Sequence, residues 1–221
     1  MENTLKKSMS VLQLTTMAMF CVLAYVVMYF GRIPMVMFLK YDPKDVIIAI
    51  GGFIYGPFSA FIISVVVSFI EMLTASATGW IGMIMNILST CSFVCVASII
   101  YKKRSNIKGA VIGLLVGLVL MTMIMLLWNY FMAPIYMGVT REAVAALLVP
   151  VFLPFNLIKG TLNAAIMFLL YKPVVSALRK MSLVPPSSSD SKGKVNLGVI
   201  IAAVFVLLTC VLLVLVLQGV I

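Results

Sequence analysis

Long apolar runs dominate the amino-acid sequence, and several of them are long enough to cross a lipid bilayer. Hydrophobic residues make up 64% of the 221-residue chain, and charged residues make up only 10%. A soluble domain is about half apolar and about a quarter charged, so a single water-facing globule cannot bury this much apolar surface. The runs therefore predict an all-α membrane protein with several spanning helices.

The residue types in the sequence exclude several kinds of chemistry. Histidine is absent, which excludes Ser-His-Asp and Cys-His catalysis and histidine-bound metal. Cys91 and Cys95 share a helix face, but without a second pair they do not form a metal site. The sequence contains no Gly-rich phosphate-binding loop. We expect no enzyme activity, no cofactor, no metal and no nucleic-acid partner.

The apolar runs divide into seven predicted helices, and the second and third are separated at Gly56-Pro57. Proline removes a backbone donor and strains the preceding turn, so a break is expected there. The predicted helices span 9–30, 45–55, 58–74, 79–101, 109–131, 150–171 and 195–218. The first six form a predicted domain at 1–180, followed by a Pro/Ser-rich linker at 181–194 and an additional transmembrane helix at 195–221.

The distribution of positive charge predicts the orientation. The net charge is +10, and Lys and Arg concentrate in cytoplasmic loops of membrane proteins. Lys6 and Lys7 precede the first helix, and a second basic cluster lies at 102–108. Both are expected in the cytoplasm, so an even number of spans must separate them, which supports the break at Gly56-Pro57. We predict a multi-pass protein of the cell membrane, from a bacterium, with a cytoplasmic amino terminus.

Polar residues in the sixth predicted helix mark a candidate binding site. Asn156, Lys159 and Asn163 are spaced to share one face. A lysine near the membrane centre costs about 2.5–3.5 kcal/mol, so it usually faces a cavity or a partner. Asn129, near the outer end of the fifth helix, is expected at the same level. The alternative is that Lys159 snorkels outward or pairs with Glu71 to hold helices together.

Two external loops supply further candidates. The loop at 31–45 mixes apolar and charged residues and is expected to fold over the pocket as a lid. Asp45 is also a candidate cap for the second helix. In the short loop at 74–80, small residues allow close approach to a ligand. The candidate binding residues from the two loops are Leu39, Lys40, Tyr41, Asp45, Thr78 and Gly79.

Five sequence segments together resemble the riboflavin-specific S component of energy-coupling factor transporters. They are the small-residue face of the first helix, FLKYDPKD, GGFIYGP, WNYFMAP and PFNLIKG. The resemblance covers about residues 9–180. GGFIYGP is general to vitamin S components. The combination of FLKYDPKD with WNYFMAP and PFNLIKG is more specific to the riboflavin branch.

The resemblance implies a six-helix S-component bundle, here followed by a seventh helix. Riboflavin would be the transported substrate, enclosed near the outer face, and membrane lipid, a transmembrane T component and two cytoplasmic ATPases would be the partners. Residues matching Asn129, Asn156 and Lys159 would hydrogen-bond the polar edge of the isoalloxazine ring. The family's docking surface on the first helix typically has two alanines four residues apart. Here Ala18 is present and Val22 stands four residues on, with Cys21 and Ala24 beside it, so these four are the expected docking positions.

Three other interpretations remain open at this level. A lone lysine beside asparagines could pair with a carboxylate-bearing vitamin such as biotin, pantothenate or folate. A solitary secondary carrier is a second alternative, although Glu71 alone is thin evidence for a proton relay. In the third, the protein is structural and the polar face of the sixth helix is an interhelical clasp.

Overall fold

The computed structural model describes residues 9–36, 39–76, 78–183 and 197–217. Within these ranges the chain is almost wholly helical, as predicted. The elements are α1 (Val11–Gly31), β1 (Ile33–Val36), β2 (Leu39–Tyr41), α2 (Lys44–Tyr55), α3 (Pro57–Thr74), α4 (Gly79–Lys103), α5 (Ile107–Met137), α6 (Arg141–Lys180) and α7 (Leu197–Leu217). Lys6, Lys7 and most of the predicted linker lie outside the described residues.

The predicted break between the second and third helices is confirmed. Gly56 ends α2 with a φ of 97°, a conformation that L side chains rarely adopt, and Pro57 occupies the first turn of α3. Among the residues that the structure describes, five helices are long and apolar enough to cross a membrane, namely α1, α3, α4, α5 and α6. With 12 residues, α2 is too short to cross alone.

The bundle has two ends of different character. The hairpin end carries β1 and β2, which pair in an antiparallel hairpin with Ile33 opposite Tyr41 and Val36 opposite Leu39. The basic end carries the α4–α5 turn, where Lys102 approaches Gly56. The sequence predicted a lid at 31–45 but not its strand pairing.

Close helix contacts hold the bundle together from its middle to the basic end. Gly113 and Gly117 on α5 lie against the backbone of Ala97 and Phe93 on α4. A Cβ atom on Gly117 would lie 2.4 Å from the Phe93 carbonyl oxygen. These glycines therefore permit a helix separation that any side chain would prevent.

The helix α1 presents two different faces. Cys21 and Ala24 are buried in the apolar core, whereas Ala18 and Val22 are exposed. The prediction that all four form a docking surface is therefore wrong for Cys21 and Ala24, because their side chains face the bundle interior. Ala18 and Val22, four residues apart on the exposed face, remain candidates.

The additional helix α7 packs along α6. Ala203 and Cys210 are buried on this side of the helix. Cys210 belongs to the same apolar cluster as Leu39 and Tyr41 of the hairpin and Phe155 of α6. The seventh helix thus covers part of the hairpin end.

Candidate substrate-binding site

A cavity of about 260 Å³ opens at the hairpin end, between the hairpin and helices α3 to α6. Its walls combine apolar side chains with polar and charged ones, and such polar groups fix the orientation of a small molecule in its site. The lining residues are Arg32, Leu39, Lys40, Asp42, Glu71, Ala75, Ser76, Thr78, Ile81, Gly82, Met85, Asn86, Ser89, Met125, Asn129, Tyr136, Phe155, Asn156 and Lys159.

Two buried asparagines line the cavity and are held in place by their own helices. The Asn129 amide donates to the Met125 carbonyl oxygen at 2.7 Å and accepts from the Tyr136 hydroxyl at 3.0 Å. The Asn156 amide donates to the Phe152 carbonyl oxygen at 2.7 Å. Each amide therefore has a defined orientation before any ligand binds.

Lys159 reaches the cavity from α6 and is paired with a carboxylate. Its side-chain nitrogen lies 3.5 Å from Asp45 Oδ2 and 3.4 Å from Ser89 Oγ. The alternative that Lys159 pairs with Glu71 is wrong, because Glu71 is paired with Arg32 and Lys44.

The carboxylate of Asp45 is buried next to the cavity and does not line it. It accepts hydrogen bonds from Thr90 Oγ1 at 2.7 Å and from Asn163 Nδ2 at 3.2 Å. The predicted cap is wrong, because α2 begins after Pro43 without a side-chain cap and Asp45 points into the bundle instead.

Asn163 and Tyr41 lie in the same layer as Asp45. The Tyr41 hydroxyl donates to Asn163 Oδ1 at 2.9 Å. Burial, together with the nearby Asp45 and Asp42, raises the pKa of the Tyr41 phenol, so the hydroxyl stays protonated and remains a donor. The sequence predicted Tyr41, Asp45 and Asn163 as direct ligand contacts. In the structure none of the three lines the cavity, and Lys159 lies between them and the cavity.

A second charged cluster joins the hairpin to α3. The Glu71 carboxylate accepts from Arg32 and Lys44, and from the Asn86 amide at 3.0 Å. Asp42 Oδ2 lies 3.8 Å from both cations. Within the described residues, Arg32 Nε and Asp42 Oδ1 are buried without a hydrogen-bond partner. Both residues line the cavity, but these two atoms are themselves buried.

The ionisable groups in and around the cavity nearly cancel. Three cations are matched by three carboxylates, and exposed Lys40 is an additional positive charge at the cavity edge. The cations are Arg32, Lys44 and Lys159, and the carboxylates are Asp42, Asp45 and Glu71. The site is therefore suited to an uncharged ligand with hydrogen-bonding edges.

The remaining predicted residues divide between wall and surroundings. Leu39, Lys40 and Thr78 line the cavity, whereas Gly79 does not and instead begins α4. The sequence prediction missed Asn86 and Ser89. Asn86 is a polar residue in an apolar span, the same signal that identified Asn156, and could have been found on that ground.

Comparison with known proteins gives a consistent result. Residues 12–171 match the family model "ECF transporter, substrate-specific component". The riboflavin transporter RibU of Staphylococcus aureus is 28% identical over 76% of this chain and 93% of its own length. The riboflavin transporter FmnP of Bacillus subtilis is 27% identical over 77% of this chain and 97% of its own length.

A solved structure extends the likeness to the fold. The S component described in "Structure and mechanism of the S component of a bacterial ECF transporter" matches with a TM-score of 0.64 and 27% identity. The match covers 76% of this chain and 97% of that structure.

A bundle of membrane helices around a small cavity, whose polar lining includes charged side chains that are largely paired, defines a membrane-embedded solute-binding protein. More particularly, the chain belongs to the family of substrate-specific components of ECF transporters, as the match over residues 12–171 shows. These proteins are transporter subunits and not enzymes. The family match ends before α7, so the seventh helix is an addition to the family's common bundle.

Proposed function

We propose that this protein is the riboflavin-binding subunit of an ECF-type importer. It captures riboflavin from outside the cell and delivers it inward by docking on a transmembrane T component driven by two ATPases. The observation that carries the proposal is the convergence of Asn129, Asn156 and Lys159 on one cavity. The riboflavin transporters among its relatives support the choice of substrate.

The cavity offers what each part of riboflavin requires. A flat aromatic ring needs apolar walls, which Met85, Met125 and Phe155 provide. The polar edge of the ring needs donors and acceptors, which the two amides and the lysine supply. The hydroxylated chain can use polar side chains that line the cavity, such as those of Ser76, Thr78 and Asn86.

A carboxylate-bearing vitamin fits the charges less well. Lys159 is already paired with Asp45, so a ligand carboxylate would have to compete with a buried counterion. A solitary proton-coupled carrier also lacks a specific supporting observation, because Asp45 and Glu71 are both paired with cations.

The test of substrate identity is a titration of the purified full chain with riboflavin, following the quenching of flavin fluorescence. We expect saturable one-to-one quenching that excess biotin, pantothenate and folate do not reverse. Reversal by one of these acids would reassign the substrate while leaving the family assignment intact. Absence of quenching by folded protein would overturn the riboflavin proposal.

The orientation and docking proposals have separate tests. We expect the basic end in the cytoplasm, where the cluster at 102–108 would lie. Ala18 and Val22 on the exposed face of α1 are the expected docking positions. Replacing Ala18 by Trp should reduce riboflavin uptake in cells that contain the whole transporter, without changing riboflavin affinity of the purified chain. Unchanged uptake would remove this face from the docking surface.

A further inference from the structure

We propose that Asp45 is a positioning residue that acts on the ligand only through Lys159, and that it makes the cavity selective for uncharged substrates. This inference rests on the proposed function, because it assigns a role within the same site. It adds a residue that does not touch the cavity.

The geometry separates Asp45 from the ligand. The relative solvent exposure of Asp45 is 0%, and Asp45 is not among the residues that line the cavity. Lys159 lies between it and the cavity, with 3.5 Å between the lysine nitrogen and Asp45 Oδ2. Any effect of Asp45 on a bound molecule must therefore be transmitted through its neighbours.

The surroundings of Asp45 hold its carboxylate in a defined position. Thr90 donates to one carboxylate oxygen and Asn163 donates to the other. Two hydrogen bonds to the same carboxylate restrict its side-chain motion. The carboxylate thus provides a rigid counterion for Lys159.

Lys159 needs such a counterion for two reasons. A buried ammonium group is costly unless it is paired, and a lysine side chain has many rotamers that must be restricted to aim it. Asp45 and Ser89 together define the position of the ammonium group in the cavity wall. Asp45 balances the positive charge of Lys159. The lysine can therefore donate a hydrogen bond to a neutral ligand, and the ligand does not need to carry a negative charge.

This arrangement also connects the hairpin to the site. Tyr41 of the hairpin donates to Asn163, which donates to Asp45, which pairs with Lys159. The hairpin is therefore linked to the cavity wall through buried groups as well as through its own lining residues Leu39 and Lys40.

The test is a double-mutant cycle on the riboflavin Kd, using Asp45→Asn, Lys159→Met and the two combined. Each single variant should raise Kd by about tenfold, and in the Lys159→Met background Asp45→Asn should change Kd by less than about twofold. If the effects multiply to about a hundredfold, Asp45 acts independently of Lys159 and the proposal is overturned.

A spectroscopic readout separates positioning from general destabilisation. Hydrogen bonding to the flavin ring shifts the absorption band of the bound flavin, so Lys159→Met and Asp45→Asn should move that band in the same direction. Ile50→Ala, a core substitution in the same helix α2, should lower the thermal stability without moving the band. A wild-type spectrum in Asp45→Asn would overturn the proposal.

The combined variant guards against misfolding, because it removes both buried charges and leaves neither unpaired. The wild-type titration keeps the two proposals distinguishable. If the wild type binds riboflavin but the cycle is additive, only the positioning role fails. If the folded wild type binds no riboflavin, both proposals fail.

Discussion

The hairpin end and the basic end of the bundle are built on opposite principles. At the hairpin end, charged and amide side chains are buried, including Lys44, Asp45 and Asn163, which have no exposed surface. From the middle to the basic end, the helices are joined by glycine contacts and by aromatic packing, with the Phe53 and Tyr101 rings stacked at 4.3 Å.

The difference shows where the sequence serves folding and where it serves binding. Glycine and aromatic contacts stabilise helix pairs without burying charge. Buried ions add little net stability, because desolvation offsets their attraction. A cluster of paired ions around one cavity therefore indicates a function that apolar packing could not provide, which is the orientation of polar groups towards a ligand.

The largest effect should come from breaking the charge balance of the hairpin end. Glu71→Gln leaves Asp42, 3.8 Å from each, as the remaining carboxylate partner of Arg32 and Lys44, and we expect a loss of about 3–5 kcal/mol of folding stability. Thermal unfolding in detergent measures this loss. Glu142→Gln, at an exposed position, is the matched control and should behave as wild type. Equal stability of the two variants would contradict the paired network.

A substitution away from the hairpin end should affect stability alone. Gly117→Ala places a Cβ against the Phe93 carbonyl oxygen, and we expect a loss of about 1–3 kcal/mol from overpacking. The riboflavin Kd of the folded protein should not change. Val116→Ala, at an exposed position one residue away, is the control. A change in Kd without a loss of stability would break the division between the two ends.

Removing the cavity lysine should instead change the affinity for riboflavin. Lys159→Met should raise the riboflavin Kd by at least tenfold, which corresponds to about 1.4 kcal/mol. The reason is the loss of the ammonium group that reaches the cavity wall from α6, the helix that also carries Asn156. Lys108→Met, an exposed lysine at the basic end, should leave Kd unchanged. Unchanged affinity in Lys159→Met would remove that residue from the site.

The smallest expected effect concerns the link between hairpin and site. Tyr41→Phe removes the hydroxyl that donates to Asn163, a contribution of about 0.5–1.5 kcal/mol. We expect riboflavin Kd to increase, with a loss of binding free energy within that range, measured by the same titration. Tyr29→Phe, on the exposed face of α1, should have no effect. A wild-type Kd in Tyr41→Phe would show that this hydrogen bond does not support the site.

Much of the bundle could be predicted from the sequence, because hydropathy and helix breakers are local signals. The break at Gly56-Pro57 follows from the chemistry of two residues and from the distribution of lysines. The sequence also predicted that Asn129, Asn156 and Lys159 converge on one cavity, because polar residues are rare in apolar helices.

Pairings between distant residues could not be predicted. Asp45 lies shortly after Pro43 at the start of α2, which suggests a cap. Only the packing of α2 against α6 brings it to Lys159. The pairing of Glu71 with Arg32 and Lys44 depends likewise on how the hairpin folds back on α3. Sequence spacing predicts helix faces, but it does not show which faces meet.

The most direct test of the central claim is a riboflavin titration that compares two matched asparagine variants. Asn129→Ala removes an amide from the cavity wall, whereas Asn106→Ala removes an amide that caps α5 at the basic end. The account predicts saturable quenching of flavin fluorescence in the wild type and in Asn106→Ala, and its loss in Asn129→Ala. Equal quenching by the two folded variants, or none by the wild type, would contradict it.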